Sequence, residues 1–180
     1  MKNDCPSNTK RIQFRCWSSS DIMLAKHLWG CPDVTKLISA NGFTADDIIL
    51  RLNKEIYTMN NHGVQYWPIF QVSDGSHLGC CGLRPCDSDP KIYELGFHLN
   101  KEFWGMGFAK ESAKEVIRYA FFDLNISRLI AGHHPENTGS AQLLHKLGFE
   151  FSHNEFYKPT ELMHPMYFLQ SPVCAVKDMV

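Results

Sequence analysis

The chain has 180 residues, 44% of them apolar and 21% charged, with a formal net charge of −1. That length suits one domain with enough apolar side chains for a core. The near-neutral balance, with no basic run longer than pairs such as Lys10-Arg11, argues against nucleic acid as a partner. No apolar stretch is long enough to cross a bilayer, and the polar first ten residues lack a signal-peptide core. The expectation is a cytoplasmic protein with a frayed N-terminus and a solvated Lys10-Arg11 pair.

Residues 11–17 alternate apolar and polar and read as a strand. Ser19, Ser20 and Asp21 offer caps for a helix reaching about Trp29, where Gly30, Pro32 and Asp33 break it. Thr44-Ala-Asp-Asp resembles a capping box opening a second helix, with Ile48, Ile49, Leu52, Ile56 and Tyr57 as its apolar face. Residues 65–73 and 77–83 form a hairpin about Asp74-Gly75-Ser76, with Pro68 marking an edge or a bulge. In the strand at 91–99, Tyr93, Leu95, Phe97 and Leu99 share one face, and Glu94, Gly96 and His98 the other. Ala109, Ala113, Val116, Ile117, Ala120, Phe121 and Leu124 recur at helical spacing. A strand at 127–133, a helix at 138–146 ended by Gly148, and strands at 149–157 and 165–170 complete a mixed α/β domain with a mainly antiparallel sheet.

Seven cysteines, an odd number, argue against a disulfide framework, and Cys80-Cys81 read as small buried hydrophobes. Nine histidines are scattered; on a strand His133 and His134 would face opposite ways, and no metal is expected.

Chemistry concentrates at Trp104-Gly105-Met106-Gly107-Phe108-Ala109-Lys110, where a strand ends, two glycines follow and a helix begins. Glycine admits close backbone approach, and the first amides of a helix are unpaired at the positive end of its dipole. This is an anion cradle, or else a turn that needs glycine. A dinucleotide fingerprint fails because Lys110 replaces its third glycine, and no Gly-Lys-Ser/Thr is present for a Walker loop.

Three segments in order, residues 93–100, Phe103–Glu111 and Asn137–Phe149, resemble the GNAT acetyltransferases, and among them the RimJ/RimL type. The likeness runs over roughly residues 10–170 and is most specific at 93–149. It implies one acyl-CoA N-acyltransferase domain over 1–180, with 1–9 and 171–180 as tails, a splayed strand pair and helices on both sheet faces. It implies acetyl-CoA as co-substrate, its pantetheine arm on the backbone of Phe97, His98 and Leu99 and its pyrophosphate on the amides of Trp104 to Lys110. Glu102 stands where many members carry Gln or Arg, leaving phosphate binding to the backbone. Asn137 and Ser140 match the family's Asn-x-x-Ser, implying contacts to the pantetheine arm and to the departing thiolate; capping is the plain reading of both. Leu144 stands at the position of the tyrosine acid of many members.

Acetyl transfer needs a neutral amine, and an α-amine titrates near about 8, so one proton must go to a base. Glu94 is the preferred base, with His98 or water as alternatives and a backbone N–H for the thioester oxyanion. Trp29, Phe43, Tyr66 and Trp67 are divided between acceptor cleft and core. The acceptor implied is a protein or peptide N-terminal amine. A small-molecule amine, or a coenzyme A-binding module without activity, is the alternative. The resemblance also admits a homodimer. Substrate choice is assigned to the first two helices and to the loops near residues 30–45 and 155–165.

Overall fold

The strands pair into one seven-stranded sheet in the order β1-β2-β3-β4-β5-β7-β6. The protein is seen here as a computed structural model that describes residues 5–86 and 89–172. The strands are β1 (Ile12–Phe14), β2 (Tyr66–Gln71), β3 (His77–Cys86), β4 (Asp89–Leu99), β5 (Arg128–Gly132), β6 (Glu150–Tyr157) and β7 (Leu162–Gln170). The helices are α1 (Ile22–Trp29), α2 (Pro32–Thr35), α3 (Ala45–His62), α4 (Phe108–Arg118) and α5 (Thr138–Lys146). Every neighbouring pair is antiparallel except β4 with β5. No helix among the described residues is long and apolar enough to cross a membrane.

The period-two alternation gives the sheet two apolar faces. On one, Trp67, Ile69, Leu83, Leu95 and Leu129 pack with Phe108, Ala113 and Val116 of α4 and Leu144 of α5. On the other, Tyr66 and Cys80 pack with Leu28 and Trp29 of α1 and Ile48 and Leu52 of α3. Helices therefore cover both faces, and both neighbouring thiols are buried, the Cys81 thiol pushed up to about 12 by desolvation.

Local chemistry places the elements. Thr44 Oγ1 accepts from Asp47 N, and an Asp47 carboxylate oxygen accepts from Thr44 N, completing the capping box of α3. Gly63 closes α3 in the left-handed region at φ 69°. Pro68 lies within β2, where its carbonyl meets Arg15 N just beyond the end of β1. A strand residue's N–H and C=O share an edge, so the missing proline N–H faces a place where β1 has already ended. The β2–β3 register slips between Ile69 and Phe70, close to the bulge that Pro68 suggested.

Several expectations need correction. Strand β1 covers only residues 12–14, because Trp17 turns into the second core and donates its indole N–H to Tyr66 O. Ile49 and Tyr57 of α3 are exposed, whereas Glu55 is buried at 1% exposure. Ile48, Leu52 and Glu55 recur at steps of four and three, so the carboxylate sits on the stripe facing the sheet. The helix from Phe108 is α-helical only to Arg118 and then widens into a π turn at Tyr119–Asp123, which buries Tyr119, Ala120 and Phe121 in succession. Residues 5–9 are no frayed tail: Ser7 N donates to Glu115, Thr9 Oγ1 to Glu111, and Asn8 Oδ1 accepts from Phe14 N. Residues 1–4 and 173–180, including Cys174, lie outside the described residues.

The buried Glu55 carboxylate accepts Arg51 Nε at 2.9 Å, Arg84 Nη2 at 3.0 Å and Tyr66 N at 2.8 Å. It ties α3 to β2 and β3 through two cations and a backbone amide. Glu55→Ala strands both guanidiniums in a low-polarity layer, and denaturant unfolding should show a loss of about 3–5 kcal/mol. His77 lies at the start of β3 against Trp17 and Phe70, and burial pulls its pKa down to about 4. The unfolded chain therefore takes up a proton on this imidazole at higher pH than the folded one. Stability should fall as pH drops from 6.5 toward about 4, by roughly 3 kcal/mol from this group. In His77→Phe the midpoint-versus-pH slope over that window should be shallower; equal slopes would remove His77 from the effect.

Candidate active site

Strands β4 and β5 pair at Ile92–Arg128, Tyr93–Leu129 and Glu94–Ile130, and there the pairing stops. Residues 95–99 continue along β3 alone. The splay opens a cavity of about 360 Å³, walled by Leu95 to Leu99 on one side and Ala131 to His134 on the other. Trp104, Gly105 and Ala109 close one end of it; Asn137, Ser140 and Leu144 of α5 close another.

The register decides which backbone groups face this cavity. Asn100 N donates to Leu78 O across to β3, while Leu99 O accepts Trp104 Nε1 at 2.9 Å. By antiparallel alternation, Phe97 and Leu99 turn their backbone toward the cavity, and His98 turns its own toward Cys80 of β3. His98 thus offers the cavity a side chain, not the amide expected of it.

In the glycine loop, Gly105 and Gly107 both hold left-handed backbone, at φ 76° and 82°. A side chain on Gly105 would meet nothing within 4 Å, so conformation and not crowding demands glycine there. The first bond of α4 runs from Glu111 N to Gly107 O, leaving the amides of Phe108, Ala109 and Lys110 without intrahelical partners. The Phe108 side chain is buried in the core and Met106 is exposed, so both serve the loop through backbone. Glu102 pairs with His27 of α1, away from the loop.

Arg11 is the loop residue that local sequence patterns do not reveal. Its Nη1 donates to Met106 O, its guanidinium pairs with Glu111 at 2.7 Å, and it stacks 4.5 Å over the Phe108 ring. Expected as a solvated surface charge, it instead clamps the loop to α4. The partners lie about a hundred residues away in the chain, beyond the reach of any short pattern.

The face opposite the apolar one on β4 carries the titratable groups. Tyr66 Oη donates to Glu94 Oε1 at 2.8 Å. Burial, then the nearby Glu94 charge, raises the Tyr66 pKa well above its ordinary value, so the phenol keeps its proton. Gly96 makes this contact possible: a Cβ there would lie 2.2 Å from the Tyr66 hydroxyl oxygen. Arg84 stacks over the Tyr66 ring at 4.6 Å. Burial, then the charges of Arg51 and Arg84, hold His98 well below the ordinary imidazole range. Trp29 Nε1 donates to His98 Nδ1 at 3.2 Å, which occupies the lone pair a base would use. Of the four aromatics considered for the cleft, Tyr66 lines the cavity, Trp29 and Trp67 are core, and Phe43 packs against the second core.

Asn137 caps α5 through Oδ1, which accepts Ser140 N at 3.0 Å; its amide NH₂ carries no bond to another described residue. Leu144 is buried and brings no hydroxyl to the cavity. His133 and His134 lie just past β5, so strand alternation does not separate them, and both border the opening. Among the described residues no group of three or more histidines, cysteines or acids is placed to hold a metal ion.

A second cavity of about 310 Å³ adjoins the first, sharing Leu37, Ile38, Glu94, His98 and Gly132 to His134 with it. Leu37 and Ile38 face Glu155 to Tyr157 and His164, which with Ile130 and Met166 complete its wall. These are the two loop regions assigned to substrate choice, and Ala40 N joins them by donating to Pro159 O.

The sequence profile of the "Acetyltransferase (GNAT) domain" family matches residues 11–150. The chain is 32% identical over 146 residues to a Bacillus licheniformis protein described as "Uncharacterized N-acetyltransferase p20", covering 79% of this chain and 80% of that one. In fold it is similar to the ribosomal-protein-S5-alanine acetyltransferase of Vibrio fischeri, with a TM-score of 0.74 at 18% identity over 93% of this chain and 97% of that one. It is likewise similar to RimL, a ribosomal L7/L12 α-N-protein acetyltransferase solved in complex with coenzyme A. There the TM-score is 0.76 at 13% identity, over 91% and 96% of the two chains.

Gly107→Val forces a branched side chain into a left-handed backbone beside Arg11, whose Nη2 is 3.5 Å from the added Cβ. Coenzyme A affinity by calorimetry should fall about tenfold or more, with unchanged circular dichroism. Unchanged affinity would take the loop out of the site.

Proposed function

Because the chain belongs to the GNAT acetyltransferase family and is an acetyl-CoA-dependent N-acetyltransferase, we propose that its acceptor is the α-amine of a protein or peptide N-terminus. The observation that carries this reading is the second cavity. Two carboxylates, Glu94 and Glu155, line it, and among the described residues no lysine or arginine does. A protonated amine is attracted there, whereas a free amino acid brings its own carboxylate against two others with no described lysine or arginine to receive it. A peptide N-terminus has no such carboxylate. The names of structural neighbours, ribosomal-protein acetyltransferases, point the same way.

The donor fits the first cavity. The pantetheine arm lies in the splay against the backbone of Phe97 and Leu99, and its pyrophosphate on the amides from Gly105 to Lys110; the Trp104 amide, expected to join them, instead donates to Lys101 O. The two left-handed glycines and the unpaired first turn of α4 support that placement. Asn137 reaches the arm with the NH₂ that capping leaves over. The Phe97 N–H, turned into the cavity, serves the thioester oxyanion. Glu94 sits where the two cavities meet and takes the proton of the incoming ammonium, its orientation held by Tyr66. Ser140 presents its hydroxyl to the departing thiolate.

The test is turnover of acetyl-CoA over a panel of peptides with free N-termini, N-blocked lysine peptides, polyamines and free amino acids, with products located by mass spectrometry. Acetylation of peptide α-amines and none of free amino acids is the expected outcome. Preferential use of a polyamine or an amino acid would overturn the acceptor assignment.

A further inference from the structure

Three imidazoles border the junction of the two cavities, and their hydrogen bonds decide which nitrogen of each holds the proton. Indole and backbone N–H groups only donate, and a carbonyl only accepts. Neutral His98 accepts the Trp29 indole N–H at Nδ1, so its hydrogen is on Nε2. His134 accepts Glu136 N at Nδ1, at 3.2 Å, and likewise carries its hydrogen on Nε2. His133 is the reverse. Its Nδ1 lies 2.8 Å from the His134 carbonyl oxygen and must donate, which puts the lone pair on Nε2.

That Nε2 has Tyr167 Oη at 3.5 Å, too long for a strong hydrogen bond. The His133 ring stacks on the Tyr167 ring at 5.5 Å between centroids, which holds its plane, and the residue borders both cavities. Its other titratable neighbours around the second cavity are Glu94 and His98 from β4, His134 beside it, Glu155 and Tyr157 from β6, and His164 from β7.

Resting on the transferase reading above, we propose that His133 is the proton shuttle of the reaction, carrying a proton from the reacting nitrogen to the departing sulfur. Glu94 removes one proton from the ammonium, and the neutral amine attacks the thioester carbon. The new C–N bond leaves the nitrogen positive and the carbonyl oxygen negative. His133 Nε2 then takes a proton from that nitrogen. The carbonyl re-forms, the C–S bond breaks, and sulfur leaves with the electron pair. The imidazolium gives its Nε2 proton to the sulfur and returns to neutral, and Glu94 releases the remaining proton to solvent. The shuttle supplies what Leu144 cannot, since a hydroxyl such as Ser140 can hand over a proton only if another group replaces it.

The experiment compares wild type with His133→Gln and His133→Ala, using acetyl-CoA and whichever amine the wild type accepts best. We expect kcat to fall about a hundredfold in both variants while the calorimetric affinity for coenzyme A is kept. Added imidazole should restore part of the His133→Ala rate. Variants that match wild-type turnover, or that lose coenzyme A affinity in step with rate and gain nothing from imidazole, overturn the shuttle. A wild type that prefers a polyamine defeats the acceptor assignment alone, because the His133 comparison is then made with that amine. A wild type that acetylates no amine overturns the shuttle together with the roles given to Glu94 and Ser140.

Discussion

One buried carboxylate organises this molecule. Glu55, on α3, has almost no contact with solvent and gathers two guanidiniums and a backbone amide. A lone charge at that depth would be prohibitive, and the hydrogen bonds it receives make it tolerable. The consequences run outward. Arg84 is fixed over the Tyr66 ring, Tyr66 reaches Glu94, and burial, helped by the charges of the two arginines, lowers the pKa of the nearby His98. The electrostatics of the cleft are thus set from the layer between α3 and the sheet, behind the residues that face the cavity.

The splay of β4 from β5 is the second constraint. Once β5 departs after Ile130, a strand edge inside the protein has donors and acceptors without a strand to receive them. An extended, amide-bearing chain is the natural complement of such an edge. The glycine loop sits at its far end, and Arg11 holds that loop through Met106 O while pairing with Glu111. The N-terminal segment, hydrogen-bonded to α4 at Ser7 and Thr9, is therefore part of the framework that holds the glycine loop.

Much of the fold was legible because its signals are local. The alternation along β4 placed Leu95 and Leu99 in one core and Glu94 and His98 on the opposite face, and the Thr44 box and Gly148 marked helix ends where the structure has them. Glu55 was missed although its signal was present: with Ile48 and Leu52 it forms a helical stripe, and a carboxylate on such a stripe must be paired. Strand alternation does not govern His133 and His134, because they lie one and two residues past the end of β5.

What the sequence determines by itself is the order of elements, the glycine loop and the Asn137–Ser140 turn, since turns, caps and periodic faces depend on residues a few positions apart. The tertiary structure decides the rest. It turns the backbone of Phe97 into the cavity and that of His98 away, brings Arg11 to Met106 and Arg84 to Glu55, and sets His133 at the junction of the two cavities with its Nδ1 on the His134 carbonyl. Those outcomes depend on register and on hydrogen bonds between residues far apart in the chain, and no short pattern carries that information.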